Sequence, residues 1–252
     1  MLKKIKVRPR DQDLKEKWDG YNDAVTPTEN THFVFSDPED EDKFYSLQYD
    51  TKEKRKRYKK YRSEWWERSK KYVHGNAPLA IIVELVSTCN LACTMCFTIT
   101  DKFQNAITGA TRMMPWEQFK SIIDEADKLG VYSVLLSWRG ESSLYRVRDK
   151  DNNTKTFVDA LKYARTKNFL EISSLTHGQL IDENVAKGIV DAAPNWISFS
   201  IDGLETAYNK IRTPPDKNKK NKDYNAFKVV TNNIKRLVEI RDENKKSLPR
   251  IR

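Results

Sequence analysis

Three cysteines fall within eight residues, Cys89, Cys93 and Cys96, in the run Val86-Ser-Thr-Cys-Asn-Leu-Ala-Cys-Thr-Met-Cys-Phe97. The spacing Cys-x3-Cys-x2-Cys puts three soft thiolates in a loop short enough to wrap one small inorganic centre, and iron–sulfur clusters are held by such donors. Three protein ligands on a four-iron cluster leave one iron open, and an open position is what a substrate-binding metal site requires. Two other readings stand beside this one. Buried structural cysteines are not expected to cluster so tightly. A zinc site needs a fourth ligand, and the histidines of the chain are His32, His74 and His177.

From residue 79 onward short apolar runs alternate with amphipathic stretches, the signature of βα units. Leu79 to Val86 reads as a first strand. The helix after it starts near Pro115, with Trp116, Phe119, Ile122, Ile123 and Ala126 on one face. Val131 to Ser137 is the second strand, followed by a polar loop and a helix carrying Phe157, Ala160, Leu161 and Ala164. The third strand is Phe169 to Leu175, and Asp182 is placed to cap the helix with Val185, Ile189 and Val190. Trp196 to Ile201 is the fourth strand, and a last helix spans about Ala226 to Arg241. Leu248 to Arg252 reads as the entry to a fifth. Parallel strands joined by helices gather their βα loops on one rim of the sheet. The loops so gathered hold the three cysteines, then Arg139-Gly140-Glu141, then Thr176-His177-Gly178, then Ser200 to Gly203. Because His177 falls on that rim, zinc stays open at this point.

The 252 residues are 38% hydrophobic, 33% charged and 11% aromatic, which suits a folded protein with a sizeable core and not a disordered one. The longest apolar stretch, Leu79 to Val86, is interrupted by Glu84 and is far shorter than a membrane span needs. The N-terminus is basic with no apolar segment behind it, so a secretory signal is not expected, and the cytoplasm with reduced thiols is. Of the net charge of +10, +8 resides in Thr51 to Lys71, which has eleven basic and three acidic residues. Tyr58, Tyr61 and Trp65 recur there at helical spacing. Such a helix could bind nucleic acid through phosphate contacts and stacking. Alternatively its aromatics pack on the following domain while Lys and Arg form a solvated face. The acidic run Asp37 to Asp42 lacks the Gly and terminal Glu of an EF-hand loop and reads as solvated.

With these residues in view, the chain resembles the radical S-adenosylmethionine (radical SAM) superfamily over residues 79 to 252. Cys89-Asn-Leu-Ala-Cys93-Thr-Met-Cys96 is similar to that family's CxxxCxxC motif, and the form CNLxCxMC to its subgroup with a C-terminal SPASM or twitch extension. The fold implied is a partial (β/α)6 TIM-like barrel of about four and a half βα units in residues 77–252, behind a largely helical basic extension, 1–76, whose helix covers about 51–72. By resemblance Cys89, Cys93 and Cys96 ligate a [4Fe-4S] cluster that chelates SAM. One electron would then cleave SAM to methionine and a 5′-deoxyadenosyl radical. Arg139-Gly140-Glu141 aligns with the GGE element that binds the SAM amino group. Thr176-His177-Gly178 resembles the TNG turn, with His177 where Asn is usual. Ser198 to Gly203 resembles the SxDG segment, placing Ser200 and Asp202 near SAM, and Arg212 matches an Arg that reaches the SAM carboxylate in some relatives. For Asp202 a turn cap, for Arg212 a surface position and for His177 a structural role are the plainer alternatives.

The resemblance implies an external electron donor, flavodoxin or ferredoxin, and a peptide or protein side chain as substrate. RNA modification is the alternative within the family, suggested by the basic helix. A Cys3His zinc protein that binds nucleic acid, or an iron–sulfur electron carrier that never meets SAM, are alternatives outside it. Departures matter. Ser142 stands where Pro is usual, and the barrel stops at its fifth strand. The chain is therefore expected to be a fragment of a longer reading frame, with barrel completion by a partner as the other option.

Overall fold

Alternation of apolar strands with helices in the sequence dictates a sheet covered by helices, and the computed structural model has one. It describes residues 49, 51–101, 103, 112–214 and 224–252. The acidic run Asp37 to Asp42 lies outside the described residues. The chain divides into two compact units, Met1–Tyr72 and Val73–Arg252.

In the first unit α1, Lys52–Lys71, is capped by the Thr51 hydroxyl, which accepts from the Lys54 N–H at 3.2 Å, and ends at Tyr72 in the left-handed region. Arg68, Lys70 and Lys71 in its last turn complement the helix dipole. Tyr58 and Tyr61 are buried. Tyr49 stacks on Tyr58 with ring centres 5.1 Å apart, and Tyr61 meets Tyr58 and Trp65 edge-on. Lys52, Lys56, Lys60 and Lys70 are exposed. The helix therefore has a wet basic face and an inward aromatic one, so Tyr58 and Tyr61 offer no surface on which a nucleobase could stack.

In the second unit the strands are β1 (Ala80–Ile82), β2 (Ser133–Leu135), β5 (Glu171–Thr176), β6 (Trp196–Phe199) and β7 (Arg250–Ile251), paired in that order and all parallel. Helices α2 (Trp116–Lys128), α3 (Phe157–Arg165), α4 (Glu183–Ala192), α5 (Glu205–Ile211) and α6 (Ala226–Glu243) lie between successive strands. Between β2 and α3 an antiparallel hairpin is inserted, β3 (Arg146–Arg148) with β4 (Thr154–Thr156). This is the partial barrel that the resemblance implied, built from the βα units that the pattern implied, with the fifth strand paired to the fourth.

The helices form because each has one apolar stripe at helical spacing and a cap at its start. Asp182 accepts from the Val185 N–H at 2.9 Å, Asn225 from the Lys228 N–H at 3.0 Å, and Thr156 with Asp159 makes a capping box. Phe119 and Ile123, Ala160 and Leu161, Ile189 and Val190, and Val230 and Leu237 bury those stripes against Val134, Ile172 and Ile197 of the sheet. Strands are shorter than the apolar runs suggested, Ala80–Ile82 against Leu79 to Val86. The Val83 N–H still donates to Leu135 O at 2.8 Å, and past it the chain bends to other partners: Leu85 O accepts from the Met114 N–H at 2.9 Å, and Val86 bridges Met113. Among the described residues no helix is long and apolar enough to cross a membrane.

Candidate functional site

Where the carboxyl ends of the parallel strands meet, a cavity of about 150 Å³ is lined by residues of every predicted rim loop. From the loop after β1 come Cys89, Cys93 and Cys96, from the loop after β2 Gly140 and Glu141, from the end of β5 Thr176 and His177, and from beyond β6 Ser200. Arg212, at the end of α5, completes the wall. Asp202 is not in the wall and is bound to Arg212. The sequence did not single out Leu91, Trp138 or Leu175, which also face the cavity. Leu91 alternates with Cys89 and Cys93 and could have been found that way, whereas the lining about Trp138 and Leu175 runs through consecutive residues and offers no such signal.

The cysteine loop is held by its backbone. The Ala92 N–H donates to Thr213 O at 2.7 Å and the Thr94 N–H to Ile211 O at 3.2 Å, which ties the loop to the end of α5. Burial pushes the Cys89 thiol up to about 12, against the Leu91 N–H that donates to its sulfur, and Glu141 and the other two cysteines add to the rise. Burial also raises Cys93, and the Arg212 guanidinium opposes it, with Nη1 3.7 Å from Sγ. The Cys96 sulfur lies 2.9 Å from the Thr98 hydroxyl.

These sulfurs are close enough to feel one another's charge. Yet among the described residues no three of His, Cys, Asp and Glu close on a point where a single metal ion could sit. Three soft thiolates on one short loop are the kind of donor set that holds an iron–sulfur cluster. Zinc would need His177 as a fourth ligand. His177 Nδ1 accepts from the Gln179 N–H at 3.0 Å and Nε2 lies 2.8 Å from Asn90 Oδ1, so neither ring nitrogen is left for a metal. Burial holds this imidazole below its usual pKa, with Glu141 opposing.

Glu141 is 3% exposed and works as a junction. Its Oε1 accepts from the Ser143 N–H at 3.1 Å, the Ser143 hydroxyl at 2.6 Å and the Thr176 hydroxyl at 2.7 Å. Its Oε2 accepts from the His177 N–H at 2.9 Å, with His177 Nε2 at 3.5 Å, so this oxygen keeps acceptor capacity. Thr176 in turn accepts from the Gly178 N–H at 2.9 Å. Gly178 has φ +77°, and a Cβ there would meet the Phe199 ring at 2.5 Å, so only glycine fits this turn.

Two ion pairs frame the mouth. Arg212 forks onto Asp202, Nε to Oδ2 at 2.5 Å and Nη2 to Oδ1 at 3.2 Å. Arg139 forks onto Glu84, Nε to Oε2 at 2.6 Å and Nη2 to Oε1 at 2.9 Å, across 55 residues of chain. The sequence foresaw neither pair; the second fastens the loop after β2 to the segment that leads from β1 into the cysteines.

The Radical SAM superfamily profile matches residues 83–241. The chain is 25% identical over 134 residues to the Fe-coproporphyrin III synthase of Methanosarcina barkeri, covering 52% of this chain and 29% of that protein. It is 25% identical over 165 residues to the tungsten-containing aldehyde ferredoxin oxidoreductase cofactor-modifying protein of Pyrococcus furiosus, covering 65% of this chain and 39% of that one. A solved structure, histidine-tagged anSMEcpe with bound AdoMet, shares 20% identity and covers 65% of this chain and 41% of its own, with a TM-score of 0.49. The chain thus spans well under half the length of the relatives it matches.

Proposed function

The chain belongs to the radical SAM superfamily, a family that binds a [4Fe-4S] cluster and AdoMet, and we propose that Cys89, Cys93 and Cys96 hold that cluster here. The observation that carries this reading is the meeting of three thiols, one buried carboxylate and the guanidinium groups of Arg139 and Arg212 around a single cavity. When bound, cluster and AdoMet supply one-electron chemistry: reductive cleavage of the sulfonium to methionine and a 5′-deoxyadenosyl radical that takes a hydrogen atom from the substrate.

What the chain's own residues contribute is binding and orientation. Gly140 and Glu141 line the side proposed for the AdoMet amino group, where Oε2 can accept one more charge-assisted hydrogen bond. Thr176 and Ser200 flank it, and Arg212, steered by Asp202, brings the positive charge that the AdoMet carboxylate calls for. Electrons come from an external donor of the flavodoxin or ferredoxin class. The substrate proposed is a peptide or protein side chain, on the likeness of the cysteine loop to the SPASM subgroup. Nucleic acid is the weaker reading because Tyr58 and Tyr61 are buried.

The test is anaerobic reconstitution followed by electron resonance with and without AdoMet and assay of 5′-deoxyadenosine. A reduced signal that changes on adding AdoMet is expected, and a signal indifferent to it overturns the reading. A non-SAM electron carrier would give that second result. Glu141→Gln is expected to weaken AdoMet binding about tenfold, the factor that ~1.4 kcal/mol of a charge-assisted bond implies, with iron content unchanged. Unaltered affinity removes Glu141 from the AdoMet site.

A further inference from the structure

We propose that His177 is a positioning residue that latches the cysteine loop in place through Asn90. The inference rests on the cluster reading above, but it concerns the loop and not the ligands. His177 is 3% exposed and its ring is fixed from both ends. Because Nδ1 accepts the Gln179 N–H at 3.0 Å, Nε2 must carry the proton, and it donates to Asn90 Oδ1 at 2.8 Å.

The turn that presents this donor is anchored on three sides. Its backbone donates to Glu141 of the β2 loop, the Tyr208 hydroxyl of α5 donates to His177 O at 3.4 Å, and Asn233 of α6 donates to Gly178 O at 2.9 Å. The cysteine loop, by contrast, has backbone ties at Thr88, which accepts from the Glu141 N–H, and again at Ala92 and Thr94. Asn90 falls in the gap, immediately after Cys89. One part-buried hydrogen bond therefore connects an anchored turn to the stretch of loop that sets the position of the first sulfur.

The experiment uses the full chain, metal-free and cluster-loaded. In the metal-free chain Cys89 alkylation by iodoacetamide is timed by mass spectrometry, and in the loaded chain iron release to a chelator is timed. Asn90→Ala and His177→Leu are each expected to speed Cys89 alkylation about tenfold, as loss of ~1.4 kcal/mol of hydrogen bonding implies. The double variant should be no faster than either single one. His177→Gln, whose Nε2 can still donate to Asn90, should stay near wild type, which a mere need for a bulky buried ring would not give. Iron release should accelerate in the same order.

Unchanged Cys89 alkylation in Asn90→Ala overturns the latch, as do single effects that multiply in the double variant. Should His177→Leu fail to fold by circular dichroism, Asn90→Ala and His177→Gln still decide. A wild type that takes up no iron, but whose thiols respond to Asn90→Ala, would uphold the latch and overturn the cluster reading.

Discussion

Cys93→Ala is expected to leave the anaerobically reconstituted chain without its brown absorbance and to cut bound iron at least roughly tenfold, from about four irons per chain. Cys93 is the buried member of the trio, and its sulfur faces the Arg212 guanidinium. A four-iron cluster left with two thiolates has two open irons, and the remaining sulfurs must hold it against water and chelator. The same substitution should hardly disturb the fold. It deletes one sulfur atom, and Arg212 keeps its fork onto Asp202. The pairing of a large loss of iron with a small change in melting temperature, within a few degrees, marks a ligand and not a packing residue. Full iron retention in this variant would remove Cys93 from the cluster, and zinc in place of iron in the wild type would revive the zinc alternative.

How far the sequence led depends on whether a feature is periodic or only spatial. The βα alternation was readable because the stripes of α2, α3, α4 and α6 repeat at helical spacing; α3 buries all four of its expected residues, while Ile122 of α2 and Val185 of α4 are only partly buried. Asp182 caps its helix as read, and Pro115 sits at the cap of α2, one residue before the helix proper. Strand ends were less legible, since an apolar run continues past the point where backbone pairing stops, as Leu79 to Val86 does. The β3–β4 hairpin went unseen because Arg-Val-Arg and Thr-Lys-Thr alternate too briefly and too polar a run separates them. α5 was missed because its seven residues are too few to show a helical period.

In the site, loop membership was legible and side-chain direction was not. The sequence put Glu141 on the rim, and it is there, but nothing local says that its carboxylate turns in to join Ser143, Thr176 and His177. The Glu84–Arg139 pair and the His177–Asn90 bond span 55 and 87 residues, beyond the reach of any spacing argument. For α1 the sequence offered both a stacking surface and a packed stripe, and the structure buries Tyr58 and Tyr61.

Gly140→Ala is the variant expected to damage this site most through the fold. A Cβ at residue 140 would lie 2.5 Å from Thr88 O, 2.8 Å from Thr88 N and closer still to Val86 O. All three are backbone atoms of the segment that enters the cysteine loop, so no rotamer change can relieve the clash. The two loops must separate, and with them the Glu141 N–H bond to Thr88 O at 2.9 Å. Overpacking of this kind costs about 3 kcal/mol, or a fall in melting temperature of ~6–12 °C in a chain of this size. Iron retention should fall with it, because the Cys89 end of the loop loses its support. Gly130→Ala is the control. Gly130 has φ +75° but nothing within 4 Å of its Cβ position, so only the ~1–2 kcal/mol of a left-handed alanine is at stake and cluster binding should be intact. If Gly140→Ala melts no lower than Gly130→Ala and keeps its iron, the close approach of the two loops is wrong, and the geometry assigned to the AdoMet side of the cavity goes with it.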